Sequence, residues 1–447
     1  MRFWIGGRGA DMGANGAGIG IVAAGEPDSP LAGGTLTDRG LAAEAPSPTW
    51  LARHPRGGVV YAALEGSGRV AAFRRAGETA LEPLGDPVEA GSAVCHIAVA
   101  PDGSRLVASC WGDGRVVEVP LGSSGALGAP RVAAPARDPY AAPEAAAPAE
   151  PEDDAARIAR QLLAGDAPEP EAPVTDFSGA VDLGALVDGG SDPSRLAAML
   201  AGTDDGSDPA AELRALLGGG SADPFDDPAV RAILDASPAG VLREAEAPQG
   251  PRPTRAHAAR FLPDGRIATT DLGYDLVRIW RVGTDGLVLD HEVALPFGTG
   301  PRHMSLHASG HLYVVTEFTC EIFVLAPGRD GRWALVAGVQ TGAIAGDTAA
   351  ELAGSADGSF LYAGLRGSDG IAAVRVAGQG ERLELVGVAE AGVTTPRHHV
   401  LVRDTLLVAG QGSDEIVSLG VDSRTGAVGR VRHRVEHPTP NCVLPIA

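Results

Sequence analysis

Short runs of apolar residues, separated by turn residues, recur along most of the chain. The run "LYVVTEF", from Leu312 to Phe318, is typical, because β-branched and aromatic residues dominate it and such residues favour strands over helices. Between the runs stand pairs such as Asp102-Gly103, in which glycine accepts the positive φ that a tight hairpin turn requires. The pattern therefore predicts a succession of antiparallel hairpins rather than long helices.

The hairpins belong to an internal repeat. One unit, made of a turn, a strand-like run, a second turn and a second run, begins at six positions: His54, Ala100, Leu262, His307, Ser355 and Val402. Successive copies are 46, 162, 45, 48 and 47 residues apart, and a seventh, degenerate copy occupies the N-terminus. A period of about 40–50 residues with four strands per unit is the signature of a β-propeller. We expect an all-β fold, a seven-bladed β-propeller, closed by pairing of the C-terminal "PNCVLPIA" with the N-terminal blade.

The one long spacing marks an insertion. The excess corresponds to residues 139–250, which divide the propeller into residues 1–138 and 251–447. The insertion contains 22 acidic and 6 basic residues and begins with a Pro/Ala-rich, low-complexity stretch. Four short helices are predicted in it, and three of them open with Asp-Pro, a pair suited to the N-cap and the first helical position. We expect an acidic, partly helical segment inserted between two blades.

Composition narrows the classes of function. The formal charge of −21 makes nucleic acid and anionic membranes poor partners. All 36 basic residues are Arg, so Schiff-base lysines and the phosphate-loop lysine are excluded, and an anion must be held by Arg, His or backbone N–H groups. The four cysteines show no C-x-x-C spacing and are expected to be reduced, buried thiols rather than a metal site. Without an apolar signal-peptide core or an 18-residue apolar stretch, the expected location is cytoplasmic.

Basic residues recur at one register of the repeat. The residues concerned stand where an inner strand begins: His96, His257, Arg302, His303, Arg397 and His398. Inner strands of a propeller line the central channel, so these side chains can converge on one channel mouth. Glu317 and Arg366 end neighbouring strands close to a turn and can reach the same mouth. Alternatively, a residue at a fixed register can bond the backbone of the next blade and have no chemical role.

The chain resembles a known family over everything except residues 139–250. The matching pieces include "CHIAVAPDG", "GPRHMSLHASGHLYVVTEF", "LRGSDGIAAV", "TPRHHVL" and "PTPNCVL", in this order. They are similar to the seven-bladed propeller lactonases of the cycloisomerase-2 group, which contains bacterial 6-phosphogluconolactonases and fungal carboxy-muconate lactonising enzymes. The resemblance implies a catalytic cluster of His257, Glu317, Arg302 and Arg397. It further suggests five substrate-binding residues: His303, Arg366, His398, Arg255 and His96. Arg255 replaces the first histidine of a His-x-His motif that is usual in the family.

The resemblance implies a lactone hydrolase that acts on a sugar-acid lactone, and the phosphorylated gluconolactone is the first candidate substrate. Arg302 and Arg397 would hold an anionic group or stabilise the oxyanion, and Glu317 or His257 would move the protons. We expect no metal or cofactor. The apolar neighbours of Glu317 should raise its pKa and Arg302 should lower it, which would leave a value useful for a general base.

Two other functions stay open. One is a muconate-type cycloisomerase or an unrelated lactonase. The other is a non-catalytic propeller that binds a small acid or a protein, with the acidic insertion as a docking element for the protein partner.

Overall fold

The computed structural model of the protein describes residues 1–26, 29–141 and 251–446. Within these ranges, 29 strands form seven antiparallel sheets, six of four strands and one of five. Within each blade, strands that follow one another in the chain are neighbours in the sheet; the exceptions are the last strand, which joins the first blade, and a short extra strand in the second blade. This confirms the predicted all-β, seven-bladed propeller.

The first three blades, named from the innermost strand outward, come from the N-terminal part of the chain and the last strand. Blade 1 contains β29 (Pro440–Ile446), β1 (Arg2–Gly7), β2 (Gly18–Ala24) and β3 (Leu36–Glu44). Blade 2 contains β4 (Pro48–Arg53), β5 (Val59–Leu64), β6 (Arg69–Ala76), β7 (Ala80–Pro83) and the short β8 (Val88–Glu89), which pairs with β6. Blade 3 contains β9 (Val94–Val99), β10 (Arg105–Cys110), β11 (Val116–Pro120) and β12 (Arg131–Val132).

The other four blades follow the insertion in chain order. Blade 4 contains β13 (Ala256–Phe261), β14 (Ile267–Asp271), β15 (Leu276–Val282) and β16 (Leu287–Ala294). Blade 5 contains β17 (Pro301–Leu306), β18 (Leu312–Thr316), β19 (Glu321–Pro327) and β20 (Trp333–Gln340). Blade 6 contains β21 (Thr348–Gly354), β22 (Phe360–Arg366), β23 (Gly370–Ala377) and β24 (Arg382–Glu390). Blade 7 contains β25 (Pro396–Val402), β26 (Thr405–Gly410), β27 (Glu415–Val421) and β28 (Val428–Glu436). Two 3-10 turns, at Ala10–Met12 and Glu65–Ser67, complete the described structure.

The ring closes as predicted. The C-terminal β29 pairs antiparallel with β1, and Leu444 lies opposite Trp4. The first blade is therefore built from both ends of the chain, which leaves no open edge between the first and last blades. The apolar faces of the blades pack on one another, and each buried cluster combines residues of neighbouring sheets, such as Val314 of blade 5 with Val277 of blade 4.

Every inner strand carries a β-bulge near its first residues. In all seven blades the register between the inner strand and its neighbour shifts at this point. The residues skipped by the ladder are Thr49, Cys95, His257, Ala258, Arg302, His303, Ala350, Glu351, Arg397 and Asn441. A bulge breaks the regular alternation of side chains and can aim consecutive residues at one space. The bulges therefore decide which side chains meet in the channel.

Turn carboxylates hold three of these inner strands in place. Each follows the second strand of its blade, has positive φ and accepts a backbone N–H that lies two residues before a bulged residue. The pairs are Asp275 with Gly300 at 2.8 Å, Asp369 with Thr395 at 2.7 Å, and Asp414 with Thr439 at 2.7 Å. Aspartate tolerates the left-handed conformation and caps nearby backbone, which explains its repeated use here. Local turn chemistry thus positions Arg302, Arg397 and Asn441.

The predicted acidic insertion falls outside the described residues from residue 142 onward, so its helices stay a prediction. Its flanks are described: Arg252 pairs with Asp138 at 2.5 Å and with Asp275 at 2.5 Å. The four cysteines are buried and unpaired, as expected from their spacing. No helix in the described ranges is both long and apolar enough to cross a membrane.

Candidate functional site

Seven of the ten bulged residues line a small depression formed by the inner strands, which we call the central depression. Its lining consists of Thr49, Trp50, Glu65, Cys95, His257, Arg302, His303, Arg397 and Asn441. Its empty volume is about 260 Å³, counting the part open to solvent. Six inner strands contribute to it, so the site exists only when the blades are assembled into the ring.

Arginines dominate one side of the depression. Arg302, with a side chain only 1% exposed, donates from Nε to Glu317 at 2.9 Å and from a terminal nitrogen to the carbonyl of Ala350. The other carboxylate oxygen of Glu317 lies 3.2 Å from Arg366, which also donates to the carbonyl of Ala349 at 2.9 Å. One carboxylate therefore bridges two guanidiniums.

Arg397 adds a third guanidinium, which has no counter-charge of its own. Among the described residues it makes no hydrogen bond or ion pair. Its charge acts on its neighbours: burial, and then the proximity of Arg397, lower the pKa of Arg302 to about 9. Three guanidiniums thus act on Glu317. The two that line the depression, Arg302 and Arg397, can hold an anion there, beside the carboxylate of Glu65.

Unpartnered polar atoms collect at the same place. Four lining residues have a buried polar atom without a hydrogen-bond partner in the described ranges: Thr49 Oγ1, Glu65 Oε2, His257 Nδ1 and Asn441 Oδ1. Buried polar groups are nearly always hydrogen-bonded, because leaving one unpaired costs about 1–3 kcal/mol. These atoms are therefore available to a bound molecule.

Histidines form the other side of the depression and pack around Trp50. The centroid of the His303 ring lies 5.2 Å from the centroid of the His257 ring and 5.1 Å from that of the Trp50 ring. Burial, followed by the charge of Arg302, lowers the pKa of His257 well below its ordinary value. His257 is therefore neutral at pH 7, and it can donate or accept one hydrogen bond in the depression.

Glu351 lies beneath these rings. One oxygen of its carboxylate accepts a hydrogen bond from His303 Nδ1 at 2.8 Å, and His398 Nε2 lies 3.3 Å from the same oxygen. Burial raises the pKa of Glu351, but His303 and then His398 outweigh it and hold the pKa well below the usual range. The ionised carboxylate of Glu351 is thus buried between the imidazoles of His303 and His398.

The structure brings five predicted residues to or against the depression: His257, Arg302, His303, Arg397 and Glu317. Four others do not line it. His96 stacks on Trp50 at 4.3 Å, Arg366 lies behind Glu317, and His398 supports Glu351. Arg255 points away, with its guanidinium 4.1 Å from the Trp111 ring and bonded to the carbonyls of Trp111 and Gly112.

The prediction for the pKa of Glu317 was wrong. Burial raises its pKa, but Arg302 and then Arg366 outweigh the burial, so the pKa is lowered. The sequence showed the apolar neighbours of Glu317 but not the second guanidinium, which comes from another blade. A carboxylate held by two arginines is a weak base.

Sequence reasoning missed several lining residues and Glu351. Thr49, Trp50 and Asn441 stand at the same inner-strand register as Arg302 and His303, so aligning all seven inner strands would have found them. Glu351 lies in "TAAELAG", where a carboxylate interrupts small apolar residues at the bulge. Glu65 gave no comparable signal, because it belongs to a 3-10 turn.

Comparison with known proteins places the chain in a family. Residues 17–147 and 234–445 match the family described as lactonase, 7-bladed beta-propeller. An uncharacterized protein of Lactococcus lactis subsp. cremoris is 34% identical over 212 residues, which are 44% of this chain and 61% of that relative. The match therefore spans less than two thirds of the relative's length.

Solved structures show the same fold at low identity. A candidate 6-phosphogluconolactonase from Bacteroides fragilis has a TM-score of 0.66 and 17% identity, with 99% of this chain and 96% of that chain covered. A periplasmic gluconolactonase from Pseudomonas aeruginosa has a TM-score of 0.64 and 17% identity, with 99% and 98% covered. One of these proteins is periplasmic, so the cytoplasmic location expected here stays a prediction. The family match, which covers most of the chain, leads to one conclusion: the chain belongs to the seven-bladed β-propeller lactonase family.

Proposed function

We propose that the protein hydrolyses the lactone of a negatively charged sugar acid, with 6-phosphogluconolactone as the first candidate. One observation carries the proposal: two arginines, Arg302 and Arg397, line the central depression together with four unpartnered polar atoms, and among the described residues only Arg302 of the two is paired, with Glu317. An anionic, hydroxyl-rich molecule offers both the charge and the hydrogen bonds that such a site lacks.

Arg397 is the residue proposed to bind the anionic group. It has no ion pair among the described residues, so it gives up no contact with them when a phosphate or carboxylate arrives. A guanidinium matches the geometry of these groups with two parallel hydrogen bonds. Asn441 and Thr49 have free polar atoms nearby and suit the sugar hydroxyls.

Arg302 is the residue proposed to stabilise the carbonyl oxygen. Glu317 and the carbonyl of Ala350 fix its guanidinium, which therefore need not reorganise when negative charge develops on the substrate. Glu317 is better suited to holding Arg302 and Arg366 than to accepting a proton, since both of its oxygens are occupied. His257, with its unpartnered Nδ1, is proposed to bond the oxygen that leaves when the ring opens.

The family match and the names of two structural neighbours, a candidate 6-phosphogluconolactonase and a gluconolactonase, support lactones as the substrate class. Because guanidiniums supply the positive charge, we propose hydrolysis without a metal ion. Treatment with a chelator should leave the rate unchanged, and a loss of rate that added metal restores would refute this part of the proposal.

The test is a hydrolysis assay on the purified full chain with gluconolactone, 6-phosphogluconolactone and a muconolactone. We expect hydrolysis of the phosphorylated lactone, with kcat/KM at least about tenfold above that of gluconolactone, because one charge-assisted contact contributes about 1.5–3 kcal/mol. Preference for the muconolactone would favour the cycloisomerase alternative. Binding of gluconate 6-phosphate without hydrolysis of any lactone would mean a binding propeller.

A further inference from the structure

In the contact between His303 and Glu351, the carboxylate determines which nitrogen of the imidazole carries the proton. The Glu351 carboxylate is 10% exposed, and its second oxygen accepts the backbone N–H of Leu352 at 3.0 Å. An ionised carboxylate only accepts hydrogen bonds, so His303 Nδ1 must carry the proton in the 2.8 Å contact. In a neutral imidazole the lone pair then lies on Nε2.

One ring nitrogen of His303 is not used within the described part of the protein. His303 is one of the lining residues, and its Nε2 has no hydrogen-bond partner in the described part of the chain. His398 has no such free nitrogen, because its Nδ1 accepts the N–H of Val443 at 3.3 Å and its Nε2 faces Glu351. Of the two imidazoles on Glu351, only His303 thus presents an unprotonated nitrogen to a ligand.

Other groups at the site are less suited to accept a proton. Both oxygens of Glu317 are held by arginines, so a proton would have to displace an ion pair. His257 faces Arg302 and Arg397 and has no carboxylate partner to stabilise its charged form. His303 faces the same two arginines, but it alone combines a carboxylate on Nδ1 with an open Nε2.

We infer that His303 is the proton acceptor of the reaction and that Glu351 is its positioning residue. This inference rests on the proposed lactone hydrolysis. A carboxylate that holds Nδ1–H fixes the tautomer and the ring orientation and stabilises the imidazolium that forms on proton transfer.

The proposed step balances as follows. An O–H bond of water breaks, its proton moves to His303 Nε2, and the water oxygen bonds to the lactone carbonyl carbon while the carbonyl electron pair moves to the oxygen beside Arg302. The electron pair on the oxyanion then re-forms the carbonyl double bond as the bond between that carbon and the ring oxygen breaks. The proton on Nε2 passes to the ring oxygen, which leaves as a hydroxyl group of the open-chain acid.

The chain contains a matched control. His291 in blade 4 is equally buried, its Nδ1 lies 3.0 Å from Asp290, and its Nε2 accepts the N–H of Trp333 at 2.8 Å. It is also a histidine–carboxylate pair, but both nitrogens are used within the protein. His291→Gln reports what loss of such a pair does to stability alone.

The experiment compares His303→Gln, Glu351→Gln and His291→Gln in hydrolysis of 6-phosphogluconolactone, in calorimetric binding of gluconate 6-phosphate, and in thermal unfolding. For His303→Gln we expect kcat to fall by about 10²–10⁴-fold with the dissociation constant of gluconate 6-phosphate changed less than about threefold. His291→Gln should lower the unfolding temperature and keep kcat. In Glu351→Gln the acidic limb of the kcat/KM profile should move to lower pH, because Glu351 raises the pKa of His303 against the effect of burial.

The outcomes separate this inference from the proposed function. If the wild type hydrolyses the lactone and folded His303→Gln keeps kcat within threefold, the inference is wrong and the proposed function stands. If the wild type hydrolyses no lactone, both are wrong. Should His303→Gln fail to fold, the pH profile of Glu351→Gln decides, and an unmoved acidic limb overturns the inference.

Discussion

Among the described residues, two arginines with side chains no more than 2% exposed each pair with a glutamate, one at the central depression and one in the outer part of blade 4. Arg302 donates to Glu317 and Arg278 donates to Glu292, each at 2.9 Å, and the two arginine side chains are 1% and 2% exposed. Two backbone carbonyls complete the contacts of Arg278, and its guanidinium lies 4.3 Å from the Trp280 ring. The charges that act on Arg278 are carboxylates, whereas Arg302 also faces two other arginines.

This difference distinguishes a pair with a structural role from the pair that we propose takes part in substrate binding. Both arginines are buried, so burial by itself does not distinguish the two pairs. The central depression is distinguished by like charges held close together and by polar atoms left without partners. Such features cost stability in the empty protein, and they make sense when a ligand supplies the missing charge and hydrogen bonds.

The largest effects should come from removing each arginine. Arg302→Met should lower kcat/KM for the lactone by about 10²–10³-fold, because the oxyanion loses its donor. It should cost little stability, since Glu317 keeps Arg366 and one repulsion between arginines disappears. Arg278→Met should show the reverse: activity within about threefold, and a loss of about 2–4 kcal/mol in the free energy of unfolding from the broken buried pair. Thermal unfolding and hydrolysis assays on both variants check this. If both variants lost activity and stability to the same extent, the two pairs would not differ in role.

A smaller effect is expected from Glu317→Gln. The change leaves three guanidiniums without their shared carboxylate, so inorganic phosphate should inhibit more strongly while kcat falls by about tenfold as Arg302 loses its fixed orientation. Inhibition constants for phosphate in the wild type and the variant provide the measurement. A large fall in kcat with an unchanged inhibition constant would instead restore Glu317 as the general base.

Stability should depend on pH through the buried histidines. Burial, its largest cause, lowers the pKa of His398 to about 4, against about 6.5 in an unfolded chain. The unfolded state therefore binds more protons between these values, so the stability that neutral His398 contributes is complete above pH 6.5 and is lost as the pH falls towards 4. His398→Gln should flatten the decline of unfolding temperature between pH 7 and 5. Equal slopes in wild type and variant would show that His398 does not titrate in this way.

The smallest effect is expected from removing the insertion. Asp138 and Arg252 pair at 2.5 Å, and Tyr140 donates to the carbonyl of Leu295 at 2.5 Å, so both flanks are anchored within the propeller. Replacing residues 142–250 by a short Gly/Ser linker should preserve one cooperative thermal transition and keep hydrolysis within about threefold. Loss of folded protein would show that the insertion is part of the core rather than an addition to it.

The fold followed from the sequence because its signals are local and repeated. Turn pairs and strand-like runs recur at a constant period, and each copy needs only its neighbours to be interpreted. The register of Arg302 and His303 could be predicted for the same reason. Their convergence followed from the symmetry of the ring rather than from any contact visible in the sequence.

The remaining details depend on contacts between blades. The bulges and the rotation between sheets determine which oxygen of Glu317 contacts Arg366. They also determine which imidazole Glu351 orients. The sequence contains no period or spacing that reports such geometry. For this reason the prediction for the pKa of Glu317 was wrong and Glu351 was missed. Arg302 and Arg397, whose positions depend only on the repeat register, do line the depression.

The central claim is that the central depression binds an anionic sugar acid, with Arg397 as the arginine that holds the anionic group. Calorimetric titration of gluconate 6-phosphate into the wild type, Arg397→Met and Arg278→Met tests it most directly. Arg397 has no hydrogen bond or ion pair among the described residues, so its loss should leave folding intact. The wild type and Arg278→Met should bind one ligand per chain with similar affinity, and Arg397→Met should bind at least about tenfold more weakly, from loss of a charge-assisted contact. Equal affinity in all three proteins would contradict the claim.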